Sequence, residues 1–156
     1  MVGQKSGNDQ VLLTLVERKS REYWMLPIKN RHADSVMEAF EALQKTYIEY
    51  FSQVFKTITT DNGSEFSRLS ELEELSETLV FYTHLYISCE KGTNERHNGI
   101  IRRFIPKGKR ISDFDVDYIA DIEVCCNSLP RKILNYRTPD EVFEDEIDLI
   151  YRQTAS

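Results

Sequence analysis

The stretch Gln10–Glu17 has an apolar, β-leaning interior that is interrupted only by Thr14, and this limits the possible folds more than any other feature of the chain. A run of this kind is typical of a strand that is buried on both faces. Polar residues 18–21 follow, and Glu22–Ile28 is predicted to be the returning strand of a hairpin. Pro27 indicates that this second strand is near its end or at the edge of a sheet.

The rest of the chain alternates between helical and strand-like patterns. Apolar residues at helical spacing predict a helix over residues 35–52, with Asp34 or Ser35 as its cap. The later predicted elements are a strand at 55–60, a short helix at 67–77, a strand at 78–83, a helix from Thr93 or Asn94 to Pro106, a helix at 115–128 and a helix at 140–151. The order β-β-α-β-α-β-α-α-α predicts an α/β fold, with a sheet flanked by helices.

Length and composition favour one globular domain over residues 1–156, with residues 1–9 loose. The apolar runs are far shorter than the roughly 18 residues of a membrane span, and no signal-peptide layout is found. The three cysteines have no spacing typical of a metal site, which favours a reducing, cytoplasmic location. The net charge is −6, but residues 91–110 are strongly basic and residues 140–148 are acidic. A local nucleic-acid contact is therefore compatible with the acidic total.

Asp61 and Glu95 are the candidate catalytic and metal-binding residues, and 33 residues separate them. Asp61 ends a strand-like run, and Asn62-Gly63 would let the chain turn sharply and leave its carboxylate exposed. Glu95 lies near the start of a predicted helix. Carboxylate oxygens suit Mg²⁺, and two divalent ions can both activate a nucleophile and neutralise charge during phosphodiester chemistry.

Asn98 and Arg102 follow Glu95 by three and seven residues, so the three side chains share one face of that helix. Arg102 is placed to contact a DNA phosphate, and Lys107, Lys109 and Arg110 would extend the basic track. Simpler interpretations remain open from the residues alone. Asp-Asn-Gly is also a common turn, a glutamate is favoured at any helix start, and a basic run is often only a solvated face.

Several segments, in order, resemble the DDE transposases of bacterial insertion sequences, specifically the IS-thirty family, which belongs to the retroviral-integrase catalytic core group. These segments are Thr14–Arg21 (TLVERKSR), Thr60–Phe66 (TDNGSEF), Lys91–Gly99 (KGTNERHNG), Phe104–Gly108 (FIPKG), Pro130–Lys132 (PRK) and Tyr136–Phe143 (YRTPDEVF). Arg102 occupies the basic position seven residues beyond the glutamate. The resemblance covers residues 10–145 and depends on the set of motifs rather than on any one of them.

The resemblance implies a ribonuclease-H-like fold and metal-dependent cleavage and strand transfer of DNA. Asp61 and Glu95 would be two acids of a DDE triad that binds Mg²⁺ or Mn²⁺. The implied DNA-binding residues are Lys91, Arg96, Asn98, Arg102, Arg103, Lys107, Lys109 and Arg110. Partners would be the element ends, target DNA and further copies of the transposase, in the bacterial cytoplasm at the nucleoid and away from membranes.

The family's first aspartate lies on a strand before the segment that matches Val11–Val16, and only residues 1–9 precede that segment here. We therefore expect a fragment that lacks the first strand and is inactive alone. Two other hypotheses remain: a non-catalytic relic that binds DNA or a partner, and a metal-dependent nuclease of the same fold. An upstream aspartate in the gene would favour the enzyme over the relic, and cleavage without joining would favour the nuclease.

Overall fold

The computed structural model describes residues 1–3, 9–82 and 99–154. The chain divides into two compact units, one formed by Met1–Lys29 with Glu90–Ser156 and the other by Asn30–Cys89. No helix among the described residues is both long and apolar enough to cross a membrane.

Four strands and six α-helices, with short 3₁₀ turns between them, make up the regular structure of the described residues. The strands are β1 (Val11–Val16), β2 (Tyr23–Ile28), β3 (Thr57–Thr60) and β4 (Leu79–Tyr82). The helices are α1 (Ala33–Tyr47), α2 (Phe51–Val54), α3 (Glu71–Leu75), α4 (described over 99–104), α5 (Val116–Asn127) and α6 (Pro139–Thr154). This order agrees with the mixed α/β fold predicted from the sequence.

The predicted hairpin is confirmed as an antiparallel pair, β1 with β2, in which Val16 is opposite Tyr23 and Val11 is opposite Ile28. The Glu17 side chain closes the turn, because its Oε2 accepts hydrogen bonds from the backbone N–H groups of Lys19 and Ser20 and from the Ser20 hydroxyl. The first four residues of β1 are buried, as expected for a strand that is covered on both faces.

The edge of β2 that does not pair with β1 is covered by side chains of α5. The Tyr23 N–H donates to Asn127 Oδ1 at 3.0 Å, and the Met25 N–H donates to Glu123 Oε2. Pro27 is the next residue along β2 whose backbone nitrogen faces this edge, and proline has no N–H that needs a hydrogen-bond partner. The prediction that Pro27 marks an edge is therefore consistent with the structure, and α5 covers the two groups that would otherwise be exposed.

The N-terminal residues differ from the loose segment expected there, although residues 4–8 lie outside the described part. Val2 is only 1% exposed and exchanges two backbone hydrogen bonds with Leu12, at 2.7 and 2.9 Å. Asp9 is buried and accepts a hydrogen bond from the Ser112 hydroxyl at 2.8 Å. Both contacts join this segment to the rest of the first unit. The apolar core of that unit includes Leu12, Ile101, Ile119 and Ile122.

In the second unit, β3 and β4 form a parallel pair in which Thr57 is opposite Leu79 and Thr60 is opposite Tyr82. The predicted helix at 35–52 is interrupted, because Ile48 has φ 46° and ψ −119°, and α2 resumes at Phe51. The expected cap at Asp34 or Ser35 is also wrong, since the helix begins after His32. There the Asn30 carboxamide accepts hydrogen bonds from the His32 N–H and the Ser35 hydroxyl.

Candidate catalytic site

Asp61 directly follows β3, at the carboxyl end of the parallel pair, and its side chain is exposed. Its Oδ1 accepts a hydrogen bond from the Gly63 N–H at 3.1 Å. Among the described residues, no hydrogen bond or ion pair engages Oδ2. The loop therefore holds one oxygen of this carboxylate, and no group in the described part of the chain holds the other. The predicted exposure of this carboxylate is confirmed.

Gly63 has φ −64° and ψ 142°, which is ordinary extended backbone that any residue can adopt. The turn after Asp61 therefore does not need glycine for its backbone angle, in contrast to the expectation from Asn62-Gly63. Glycine is needed here because there is no room for a side chain. A Cβ at Gly63 would lie 2.7 Å from Glu65 Oε2 and 3.1 Å from Asp61 Oδ1.

Glu65 is the residue of this loop that the sequence analysis did not single out. It lies on a short 3₁₀ turn at Ser64–Phe66, and its side chain folds back over Gly63. Only 21% of this side chain is exposed, and its Oε1 is 4.0 Å from Arg31 Nη1. The sequence does contain a second acid four residues after Asp61, but it does not show that the side chain of this acid folds back over Gly63.

The other predicted acid, Glu95, lies outside the described residues, as do Lys91, Arg96 and Asn98. Within residues 1–3, 9–82 and 99–154, no three His, Cys, Asp or Glu side chains are grouped closely enough to hold a metal ion. Asp61 fits one position in a magnesium site, since it offers an exposed carboxylate at the end of a strand. The described residues alone do not complete such a site.

The basic residues that follow are on α4 and in the segment after it, in the first unit. Ile101 and Ile105 are fully buried, which orients this helix and leaves Arg102 half-buried and Arg103 exposed. Lys107 and Lys109 are exposed, and within the described part of the chain neither forms an ion pair. These positively charged groups are therefore available to an anionic partner.

Arg110 differs from its neighbours, because its Nε is 3.5 Å from Asp9 Oδ2. The Ser112 hydroxyl and the Arg110 guanidinium both favour the ionised form of Asp9 and lower its pKa. The Arg110 side chain remains 62% exposed. Of the predicted DNA-binding cations, Arg110 is thus already partly neutralised by the protein itself.

Known proteins similar to this chain include transposases of insertion sequences. The probable transposase of the insertion-like element IS1161 from Streptococcus salivarius is 36% identical over 144 residues, which is 92% of this chain and 40% of that protein. The transposase of IS4351 from Bacteroides fragilis is 36% identical over 138 residues, covering 88% of this chain and 41% of that protein. The chain is a homologue of the IS-thirty (IS30) family transposases.

An IS-thirty member from Escherichia coli K12, the transposase InsI of IS30C, is 30% identical over 88% of this chain and 35% of its own length. The chain thus spans about 40% of the length of the first two transposases and somewhat less of the third. No family model matches the chain.

Solved structures show the fold of this IS-thirty homologue. The catalytic core domain of BIV integrase superposes with a TM-score of 0.66 over 91% of this chain and 90% of that one, at 18% identity. A chain of the simian T-cell lymphotropic virus intasome, solved with PP2A regulatory subunit B56 gamma, gives 0.61 over 92% of this chain and 58% of that one, at 12% identity. The fold is the ribonuclease-H-like fold of integrase catalytic cores, as the resemblance implied.

Proposed function

We propose that this chain is catalytic core sequence of a DDE transposase, in which Asp61 and Glu95 bind Mg²⁺ or Mn²⁺ for DNA cleavage and strand transfer. The supporting observation is the position of Asp61. Its carboxylate is exposed at the carboxyl end of a parallel strand, where open α/β sheets place their functional groups, and one oxygen is held by the Gly63 N–H. The homology to IS-thirty transposases supports the same assignment.

In this proposal the protein contributes charge and position, and a divalent ion held by these carboxylates would supply Lewis-acid chemistry at the phosphate and the attacking hydroxyl. Asp61 would hold the ion through Oδ2, and Glu95 would supply a second carboxylate. Arg102 and Arg103, with Lys107 and Lys109, would contact DNA phosphates and fix the position of the duplex. We propose the element ends and target DNA as substrates, further copies of the transposase as partners, and the bacterial nucleoid as location.

The test is a strand-transfer assay with the complete product of the gene that encodes this chain, using the DNA ends that flank that gene. Asp61→Asn keeps the size of the side chain but removes its charge. We expect it to lower both cleavage and joining by about 100-fold or more, because even residues behind a metal ligand typically contribute 10–100-fold. Asp117→Asn, on the exposed face of α5, is the matched control.

The same assay separates the proposal from its two rivals. Wild-type protein that cleaves DNA without joining it to a target would be a nuclease. Protein that binds DNA but neither cleaves nor joins it would support the hypothesis of a non-catalytic relic. Full activity of the Asp61→Asn variant would show that the metal assignment is wrong.

A further inference from the structure

We propose that Glu65 is a positioning residue for Asp61: its carboxylate, folded over Gly63, confines the Asp61 side chain and adds negative charge beside it. This inference rests on the proposed metal-binding role of Asp61. The two residues and Gly63 belong to one loop of the second unit, between β3 and α3.

Gly63 lies close to both carboxylates. Its φ is ordinary, so another residue would fit the backbone, but a Cβ there would clash with the Glu65 carboxylate and lie tightly against that of Asp61. Glu65 Oε2 is 2.7 Å from that position, Glu65 Cδ is 2.9 Å from it, and Asp61 Oδ1 is 3.1 Å from it. The missing side chain of Gly63 is therefore what allows the two carboxylates to approach each other.

The position of Glu65 is not that of a freely solvated side chain. Most of it is removed from water, and its Oε1 lies 4.0 Å from the guanidinium of Arg31. Arg31 offsets part of the repulsion between the two acids, which would otherwise turn Glu65 outward. The side chain is thus largely buried over Gly63, with its carboxylate attracted to Arg31.

A second carboxylate beside Asp61 has a direct effect on a divalent cation bound there. By Coulomb's law, a unit charge about 6 Å from a divalent ion changes its affinity by roughly tenfold even in bulk water. Glu65 also limits the directions in which the Asp61 carboxylate can point. We expect both contributions to strengthen cation binding without direct contact between Glu65 and the ion.

The test measures Mn²⁺ binding to the complete gene product by electron paramagnetic resonance, with four variants. Asp61→Asn removes the proposed ligand, and Glu65→Gln removes the neighbouring charge at nearly constant shape. Gly63→Ala keeps both carboxylates but forces them apart, and it should fold because the flexible end of Glu65 can move. Glu74→Gln, an exposed acid on α3, is the control for loss of one charge.

We expect the Mn²⁺ dissociation constant to rise about tenfold for Glu65→Gln, several-fold for Gly63→Ala and more for Asp61→Asn, with no change for Glu74→Gln. The melting temperature without metal should stay the same in the Glu65 variant. In strand transfer, Glu65→Gln should raise the Mn²⁺ concentration for half-maximal rate but leave the rate at saturating metal nearly unchanged. Glu65→Asp should restore part of the affinity.

The outcomes distinguish this inference from the proposed function. If Asp61→Asn weakens binding while Glu65→Gln and Gly63→Ala bind Mn²⁺ like wild type, Glu65 has no positioning role and the metal assignment of Asp61 stands. If Asp61→Asn binds Mn²⁺ like wild type, or wild type does not bind it at all, the proposed function and this inference both fail.

Discussion

The role of several residues in this structure depends on which side chains lie next to them in space. Gly63 is needed for room rather than for its backbone angle, and Asp61 is exposed because β3 ends immediately before it. Glu22 is another example, in the first unit. It is only 8% exposed, and its Oε1 accepts a hydrogen bond from Asn127 Nδ2 at 2.8 Å.

Glu22 makes stability depend on pH in the direction opposite to that of most acids. Burial, with the nearby carboxylates of Asp140, Glu123, Glu144 and Glu17, raises its pKa to about 8. Burial likewise raises the pKa of Glu123. The folded state therefore binds more protons than the unfolded state above about pH 4.5, so the free energy of unfolding falls as pH rises towards 8.

Glu22→Gln should reduce this pH dependence, because the amide resembles the protonated acid and stays neutral. We expect the variant to be more stable than wild type by about 2 kcal/mol at pH 8, and nearly equal to it at pH 4.5. Urea unfolding across this range measures both values. Equal slopes of stability against pH in the two proteins would show that Glu22 is ionised normally.

At the scale of elements, the local sequence pattern predicts most strands and helices but not the contacts between segments that are distant along the chain. The strands, the hairpin and the helices at 115–128 and 140–151 follow from apolar spacing, Pro139 and turn residues, and all are found. The closing of β2 by Asn127 and Glu123 could not be predicted, because it joins residues about 100 positions apart. The break in the helix at Ile48 could not be predicted either, because the apolar spacing continues across it.

Ile48 provides a test at this scale. Its positive φ is unfavourable for a β-branched residue, and its side chain is 74% exposed, so little packing repays the strain. Ile48→Gly should raise the free energy of unfolding by about 1 kcal/mol, since relief of strain exceeds the entropic cost of glycine. Glu49→Gly, at a position without positive φ, should lower it. Destabilisation by both variants would contradict this account.

The segment after α4 gives a second prediction. Lys109 forms no ion pair within the described residues, whereas Arg110 is paired with Asp9. In DNA binding measured by fluorescence anisotropy, Lys109→Ala should therefore reduce the salt dependence by about one counterion, and Arg110→Ala by less. Asp9→Asn, which keeps the hydrogen bond from Ser112 possible, should strengthen binding. Equal effects of the two alanine variants would argue against a role for Asp9.

For the whole molecule, the alternating pattern of the sequence predicted only an α/β fold. The ribonuclease-H-like fold was predicted from the resemblance of the ordered motifs to the IS-thirty transposases. The sequence was also sufficient to single out Asp61 and to place it at a strand end. It was not sufficient for Glu65 or the buried position of Val2, since these depend on how separate segments pack. The roles of Asp61, Glu95 and the basic residues stay predictions, and Glu95 lies outside the described residues.

We propose that the Asp61 carboxylate binds the divalent ion used in strand transfer, and a change in the chemistry of this ligand tests that role most directly. A thiolate is a poor ligand for hard Mg²⁺ but is better tolerated by the softer Mn²⁺. We predict that Asp61→Cys loses strand transfer in Mg²⁺ and recovers a measurable part in Mn²⁺, while Asp117→Cys behaves like wild type in both. Activity of Asp61→Cys equal to wild type in Mg²⁺ would contradict the claim.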